Sequence, residues 1–166
     1  MPLILSLTCT STEPDAAIFG AGPDGLFRLE SGIAVTETQP MHSLFCCAAV
    51  AGMAGPVLLT GGAPHGAAWR SLNGAHGVQA TWQAGWMDYT DVPIMQIAPA
   101  PNAEQSGVLL AATDGAGILR TTNRGRAWTL CNFGLHDFTV LTLAWAPPPP
   151  PPPATLWPAF DVAFAG

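Results

Sequence analysis

Hydrophobic runs separated by glycine-rich turns recur along the chain. Segments 17–28, 57–70 and 109–120 each begin with an apolar run, pass through a glycine-rich turn and end in a short apolar stretch closed by an arginine. The closing arginines lie 42 and 50 residues apart. Self-similarity at such a distance indicates a repeat architecture. A fourth apolar run occupies residues 162–166.

Each unit divides into short strands bounded by turn residues. The first unit predicts strands at 3–8, 16–20, 26–29 and 33–36, the second at 43–50, 56–60, 67–71 and 79–83, and the third at 94–98, 108–113, 117–121 and 127–132. A partial fourth unit predicts strands at 140–145 and 162–166. The second strand of each complete unit is continuously apolar, which is typical of a strand buried on both faces.

Four antiparallel strands in every 40–50 residues is the pattern of β-propeller blades. We therefore predict an all-β fold of about 3.5 blades, at 1–41, 42–91, 92–138 and, for the partial blade, 139–166. Propellers typically have four to eight blades, and a half-built blade leaves an apolar face and a strand edge exposed. We expect other copies, another chain or further repeats to complete the ring.

The composition narrows the function classes. Only 10% of the 166 residues are charged, the net charge is −6, and all five basic residues are arginines. Such a chain cannot build the large basic face that nucleic-acid binding needs. The 49% of hydrophobic residues suffice for a core and exclude a disordered acidic tail. The 18 glycines and 17 prolines favour short strands and turns over long helices.

One turn carries a recognisable motif. Residues 121–128 read TTNRGRAW. This segment resembles the Asp-box, or BNR, repeat of sialidase-like and photosystem-assembly-factor-like propellers, whose pattern is Ser/Thr-x-Asp-x-Gly-x-Thr-Trp. Thr121, Gly125 and Trp128 match that pattern, while Asn123 replaces the aspartate and Ala127 replaces the threonine.

A looser version of the box, with a longer turn, occurs in the second unit as Ser71, Asn73 and Trp82. In the family these boxes are structural hairpins that lie away from the central site, so the resemblance implies a fold-holding role. The chemistry agrees, because Asn side chains cap their own turns, glycine adopts positive φ, and tryptophan packs between layers.

The sialidase resemblance raises the question of catalysis. Such enzymes need three arginines around a carboxylate, a tyrosine–glutamate pair and an aspartate. Arg28, Arg70 and Arg120 hold the same place in successive repeats, as structural residues do, and no glutamate lies close in sequence to Tyr89, the single tyrosine. We therefore assign no catalytic residue and favour a protein that is not an enzyme.

Two segments are candidates for binding. Trp86, Met87 and Tyr89 form an aromatic loop that suits stacking on a sugar or a protein, although packing between blades explains it equally well. Residues 147–153 are seven consecutive prolines, which form a stiff rod of roughly 20 Å. The rod is either a rigid loop extension or a docking element, for which the candidate residues are Pro147, Pro150, Pro153 and Trp157.

The remaining chemistry is sparse. The four cysteines include no Cys-x-x-Cys pair, so we expect buried thiols, no metal site and no cofactor. The apolar run 44–59 is interrupted by Gly52, Gly55 and Pro56, which favours two strands over a membrane span. No signal peptide is recognisable, which favours the cytoplasm.

These observations lead to one expectation and one alternative. We expect a non-enzymatic propeller that mediates protein–protein interaction or assembly, with a protein partner or a second copy. The alternative is part of a carbohydrate-binding or glycosidase-like propeller. An assembly role requires an apolar patch at the open edge, whereas a carbohydrate site requires polar and aromatic residues that converge at the mouth of the ring.

Overall fold

The computed structural model describes residues 2–11, 16–30, 33–36, 43–52, 55–63, 68–71, 81–87, 92–146 and 163–166. These residues form fifteen β-strands and one short helix. The predicted all-β class is therefore confirmed. The strands lie in four sheets, and every strand pair except one is antiparallel.

The first sheet is a meander of four strands in chain order. Its strands are β1 (Ser6–Cys9), β2 (Ile18–Gly22), β3 (Gly25–Glu30) and β4 (Ile33–Thr36). Because side chains alternate along a strand, Ser6 and Thr8 face one side of the sheet and Leu7 faces the other.

The second sheet repeats this order. Its strands are β5 (Leu44–Val50), β6 (Val57–Gly62), β7 (Trp69–Ser71) and β8 (Trp82–Ala84). All six residues of β6 are buried, as its continuous apolar run predicts.

The third sheet has four strands in chain order and a fifth strand from an earlier part of the chain. The strands are β9 (Trp86–Met87), β10 (Ile94–Pro99), β11 (Leu109–Thr113), β12 (Gly117–Thr121) and β13 (Ala127–Leu130), and helix α1 (Ala103–Ser106) lies between β10 and β11. The fifth strand, β9, pairs in parallel with the outer strand β13. It thereby links the second unit of the chain to the third sheet.

The last sheet contains two strands, β14 (Leu143–Trp145) and β15 (Ala163–Ala165), paired antiparallel. They fall in the two segments of the predicted partial blade. The proline run 147–153 lies between them and outside the described residues.

The sheets stack through their first strands. Strand β1 contacts β5, β5 contacts β10, and β10 contacts β14. A separate cluster of buried apolar side chains fills each of the three spaces between successive sheets. This serial stacking is what the blades of a propeller require, but closure of a ring and the number of blades stay predictions.

Candidate functional site

Hydrogen bonds from the first strand of one sheet reach the next sheet at a repeated position. The Ser6 hydroxyl accepts from the backbone N–H of Cys47 at 3.2 Å. The Gln96 side-chain oxygen accepts from the N–H of Leu143 at 2.6 Å. The Cys46 thiol lies 3.9 Å from the backbone oxygen of Ile94. Each of the three spaces between sheets is therefore crossed by a polar side chain of the preceding sheet.

Two positions after each polar residue, a threonine or an alanine lies opposite a large apolar residue of the second strand. Thr8, Ala48 and Ala98 follow the three polar residues by two, and each pairs with a large residue of the second strand. The pairs are Thr8 with Phe19, Ala48 with Leu59, and Ala98 with Leu110. The last sheet contains a fourth example, Ala144 with Phe164, and Thr142 takes the polar position before it.

This fourth example faces solvent. Phe164 is 64% exposed and Thr142 and Ala144 are exposed, whereas Phe19 and Leu59 are fully buried. We call the surface formed by Thr142, Ala144 and Phe164 the trailing face.

The first sheet is exposed on its other side, the side that faces away from the second sheet. Leu7 and Cys9 point away from the second sheet, and Cys9 pairs across the strands with Ile18. Leu7 is 62% exposed and Ile18 is 43% exposed. We call the surface formed by Leu7, Cys9 and Ile18 the leading face. Of their counterparts in the second sheet, Cys47 and Leu58 are buried and Ala49 is half-buried, all against side chains of the first sheet.

The box turn between β12 and β13 is closed by its own side chains. The Thr121 hydroxyl accepts from the N–H groups of Asn123 at 3.2 Å and Gly125 at 3.1 Å, and donates to Asn123 Oδ1 at 2.9 Å. Asn123 Oδ1 also accepts from the N–H of Ala127 at 2.9 Å. Gly125 has a φ of 79°, which favours glycine. The asparagine thus caps the turn through the same kind of oxygen that an aspartate would supply.

Both box tryptophans pack toward the preceding sheet. Trp128 is fully buried in the cluster between the second and third sheets. Trp82 is half-buried against the cluster between the first and second sheets, and its cross-strand neighbour Ser71 is buried. Asn73, the third residue of this looser box, lies outside the described residues. Trp128 and Trp82 therefore pack at contacts between sheets, whereas Asn123 is exposed and bonds within its own turn.

The three repeat arginines occupy one register position on three separate sheets. Arg28 pairs with Phe19, Arg70 with Leu59, and Arg120 with Leu110. Their regular spacing in the sequence therefore reflects the structural repeat. Their surroundings differ, since Arg28 is half-buried, Arg70 is 6% exposed and Arg120 is exposed.

Arg70 has a buried side-chain donor and a perturbed pKa. Its Nε atom is buried and has no hydrogen-bond partner. Burial, and secondarily the positive charge of Arg126, lower the pKa of the Arg70 guanidinium.

The two described residues of the predicted aromatic binding loop differ in their exposure to solvent. Trp86 is 63% exposed, whereas Met87 is 6% exposed and belongs to the cluster between the second and third sheets. Tyr89 lies outside the described residues, as do Pro147, Pro150, Pro153 and Trp157. In the described part of this loop, Trp86 is the residue open to a partner.

A cleft of about 320 Å³ opens where β1, β5 and β10 end. Its polar lining residues are Cys9, Thr10, Ser11 and Glu104, and the others are alanine, valine and proline residues. Its described lining contains no aromatic ring on which a sugar could stack. The cleft therefore lacks one half of the requirement for a carbohydrate site.

The cysteines form two classes. Cys9 and Cys131 are exposed and free, and Cys46 and Cys47 are buried and free. Burial raises the pKa of Cys47 to about 11 and raises that of Cys46 further. Buried thiols of this kind are structural and chemically inert.

The described residues offer neither a metal-binding cluster nor a membrane-spanning helix. They contain no group of three or more His, Cys, Asp or Glu side chains arranged to hold a metal ion. They also contain no helix long and apolar enough to cross a membrane. A comparison with protein-family models and with curated proteins finds no match to this chain.

The sequence predicted an exposed apolar face on a half-built blade, but it did not show which residues form the two faces or that one polar position repeats. Serine, cysteine, glutamine and threonine share no motif, so only strand register reveals that they are equivalent. The alternation of Leu3, Leu5 and Leu7 was an available signal, because all three leucines are more than half exposed.

Proposed function

We propose that this chain is a sector of a β-propeller that assembles head to tail with a second copy of itself. The trailing face of one copy packs on the leading face of the other, and the reverse contact closes the ring. The observation that carries the proposal is the fourth repeat of the sheet-packing register, Ala144 with Phe164, which lies exposed.

The two faces are complementary because the chain already makes this contact three times. The Thr8 hydroxyl accepts from the Ala49 N–H of the second sheet at 3.1 Å, and Ala48 and Ala98 belong to the clusters between their own sheets and the following ones. The exposed Ala144 is the fourth member of this series. The leading face is equivalent to the surfaces against which the internal members of the series pack. The leading face of a second copy therefore has the shape and polarity needed to cover the trailing face.

The hydrogen bonds between sheets predict a matching hydrogen bond between the two copies. Ser6 accepts from the N–H of Cys47, and Gln96 accepts from the N–H of Leu143. Cys47 and Leu143 correspond in register to Leu7. Within the chain, the Thr142 hydroxyl donates to Gln96 Oε1 at 3.0 Å, which leaves its lone pairs to accept a further hydrogen bond. The proposal thus pairs the Thr142 hydroxyl, as acceptor, with the Leu7 N–H of the second copy, and Ala144 with its Cys9.

The composition supports association. None of the residues that define either face is charged, and exposed apolar faces of this kind mark interaction sites or aggregation hazards. Two copies supply eight sheets in the described residues, which is within the four to eight blades of known propellers. A role in assembly needs no catalytic group.

The test is the solution mass, measured by light scattering on a size-exclusion column over a range of concentrations. The proposal predicts twice the 17.2 kDa chain mass. The variant Leu7→Asp places a charge on the leading face and should give a monomer. The matched control is Phe133→Asp, because Phe133 is fully exposed in a turn outside both faces.

Circular dichroism of each variant establishes that it has folded, and Phe164→Ser provides a second, milder change on the trailing face. A folded wild-type monomer at all concentrations overturns the proposal. So does a dimer that both face variants leave intact, since another surface would then hold it together. A monomer that acquires mass only on a different protein would assign the faces to that protein.

A further inference from the structure

Two arginines lie at the junction between the second and third sheets. Arg70 lies on β7, on the side of the second sheet that carries Leu59 and faces the third sheet. Arg126 ends the box turn of the third sheet, and its backbone oxygen accepts from the N–H of Trp86 at 2.9 Å. After burial, the positive charge of Arg126 is the second cause of the lowered pKa of the Arg70 guanidinium.

The backbone places the box turn against the second sheet. A Cβ atom at Gly125 would come within 2.5 Å of Leu59 Cδ2, so the box turn lies directly on the second sheet. Leu59 is the cross-strand neighbour of Arg70. The turn that carries Arg126 is therefore held against the strand pair that carries Arg70.

The junction contains donors without acceptors. Arg70 is 6% exposed, and its buried Nε–H has no hydrogen-bond acceptor among the described residues. Trp128 Nε1 is a second buried donor without a partner, and it lies beside Gly85. A buried guanidinium nitrogen that lacks an acceptor is energetically costly. A bound anion would remove that cost.

We propose that Arg70 and Arg126 form a binding site for an oxyanion, such as phosphate, sulfate or a carboxylate. The planar guanidinium donates two parallel hydrogen bonds to such groups, and a second guanidinium balances their charge. Arg126 is exposed, so an anion reaches the site from solvent. The site stands on observations separate from the assembly proposal.

Arg120 provides a matched control within the chain. It holds the register position of Arg70 on the third sheet, but it is exposed. The described part of the following sheet has two strands, and no box turn there covers it. Removing its charge changes the net charge as much as removing that of Arg70, without touching the proposed site.

The experiment titrates sodium phosphate into the 166-residue protein at constant ionic strength, with chloride as the balancing anion. Binding is followed by the melting temperature and by the NMR signals of the arginine Nε–H groups. We expect a saturable rise in melting temperature and a shift of the Arg70 signal. Arg126→Gln and Arg70→Gln should each weaken phosphate binding about tenfold or more, while Arg120→Gln should leave it unchanged.

Three outcomes overturn the site. The first is equal stabilisation by phosphate and chloride, and the second is an equal loss in Arg120→Gln and Arg126→Gln. The third is saturable binding that persists in Arg126→Gln, which changes an exposed residue and should fold even if Arg70→Gln does not. Repeating the titration with acetate distinguishes a site for any oxyanion from one for phosphate. The mass measured alongside shows whether assembly is affected.

Discussion

Leu59 of β6 lies against Gly125 of the box turn, so closely that a Cβ at Gly125 would come within 2.5 Å of Leu59 Cδ2. The two residues are 66 positions apart and belong to adjacent sheets. The glycine of the box thus serves two purposes: it adopts a positive φ in its own turn and lets that turn rest on the preceding sheet.

This relationship predicts the effect of adding one methyl group. Gly125→Ala should destabilise the protein by about 2–4 kcal/mol, because it combines backbone strain at a φ of 79° with a steric clash. Gly134→Ala is the control, since Gly134 has a φ of 84° but nothing within 4 Å of an added Cβ. It should cost about 1 kcal/mol. Urea denaturation measures both values, and equal losses would refute the contact.

The capping role of Asn123 predicts a second pair of variants. Asn123→Ala removes the acceptor for the Ala127 N–H and the Thr121 hydroxyl, and should cost about 1–2 kcal/mol. Asn123→Asp keeps an oxygen at the same place and should remain close to the wild type in urea denaturation. If the aspartate variant were as unstable as the alanine variant, the side chain would not act as an acceptor.

Thiol reactivity reports on both burial and assembly. In the native protein, Cys131 should react with a maleimide at once, while Cys46 and Cys47 should react only after unfolding. Cys9 belongs to the leading face, so it should react slowly in the wild type and rapidly in Leu7→Asp. Mass spectrometry of digested samples assigns each site. Equal rates for Cys9 in both proteins would count against the covered face.

The buried thiols also predict a loss of stability at high pH. The pKa of Cys47 is raised from 9.0 to about 11 by burial. The unfolded state therefore loses this proton first, and rising pH favours unfolding. The stability due to Cys47 is complete below pH 9 and falls by about 2–3 kcal/mol between pH 9 and 11. Urea denaturation at several pH values should show a smaller decline in Cys47→Ala, and an unchanged decline would refute this assignment.

Local patterns in the sequence predicted the local features well. The continuous apolar run of β6 and the turn residues from Thr121 to Trp128 specify structure through neighbouring residues alone. Strand β9 was not predicted, because two residues give no periodicity and their partner is the distant β13. Helix α1 was missed for a related reason, since four residues are too few for a helical pattern.

The contacts between sheets depend on register, which the sequence alone does not give. Thr142 resembles Ser6 only after the strand pairs are known, and Arg70 differs from Arg120 only through what covers it. For the same reason, the sequence does not show that Trp86 and Met87 pair with the third sheet.

A disulfide between copies tests the head-to-tail contact most directly. In a Cys131→Ser background, Ala144→Cys places a thiol on the trailing face, where register pairs it with Cys9 of the second copy. Under mild oxidation we predict a covalent dimer that peptide mapping assigns to Cys9 and position 144, and no covalent dimer in the Cys131→Ser parent. A monomer in both proteins, or a Cys9–Cys9 link in the parent, would contradict the proposed assembly.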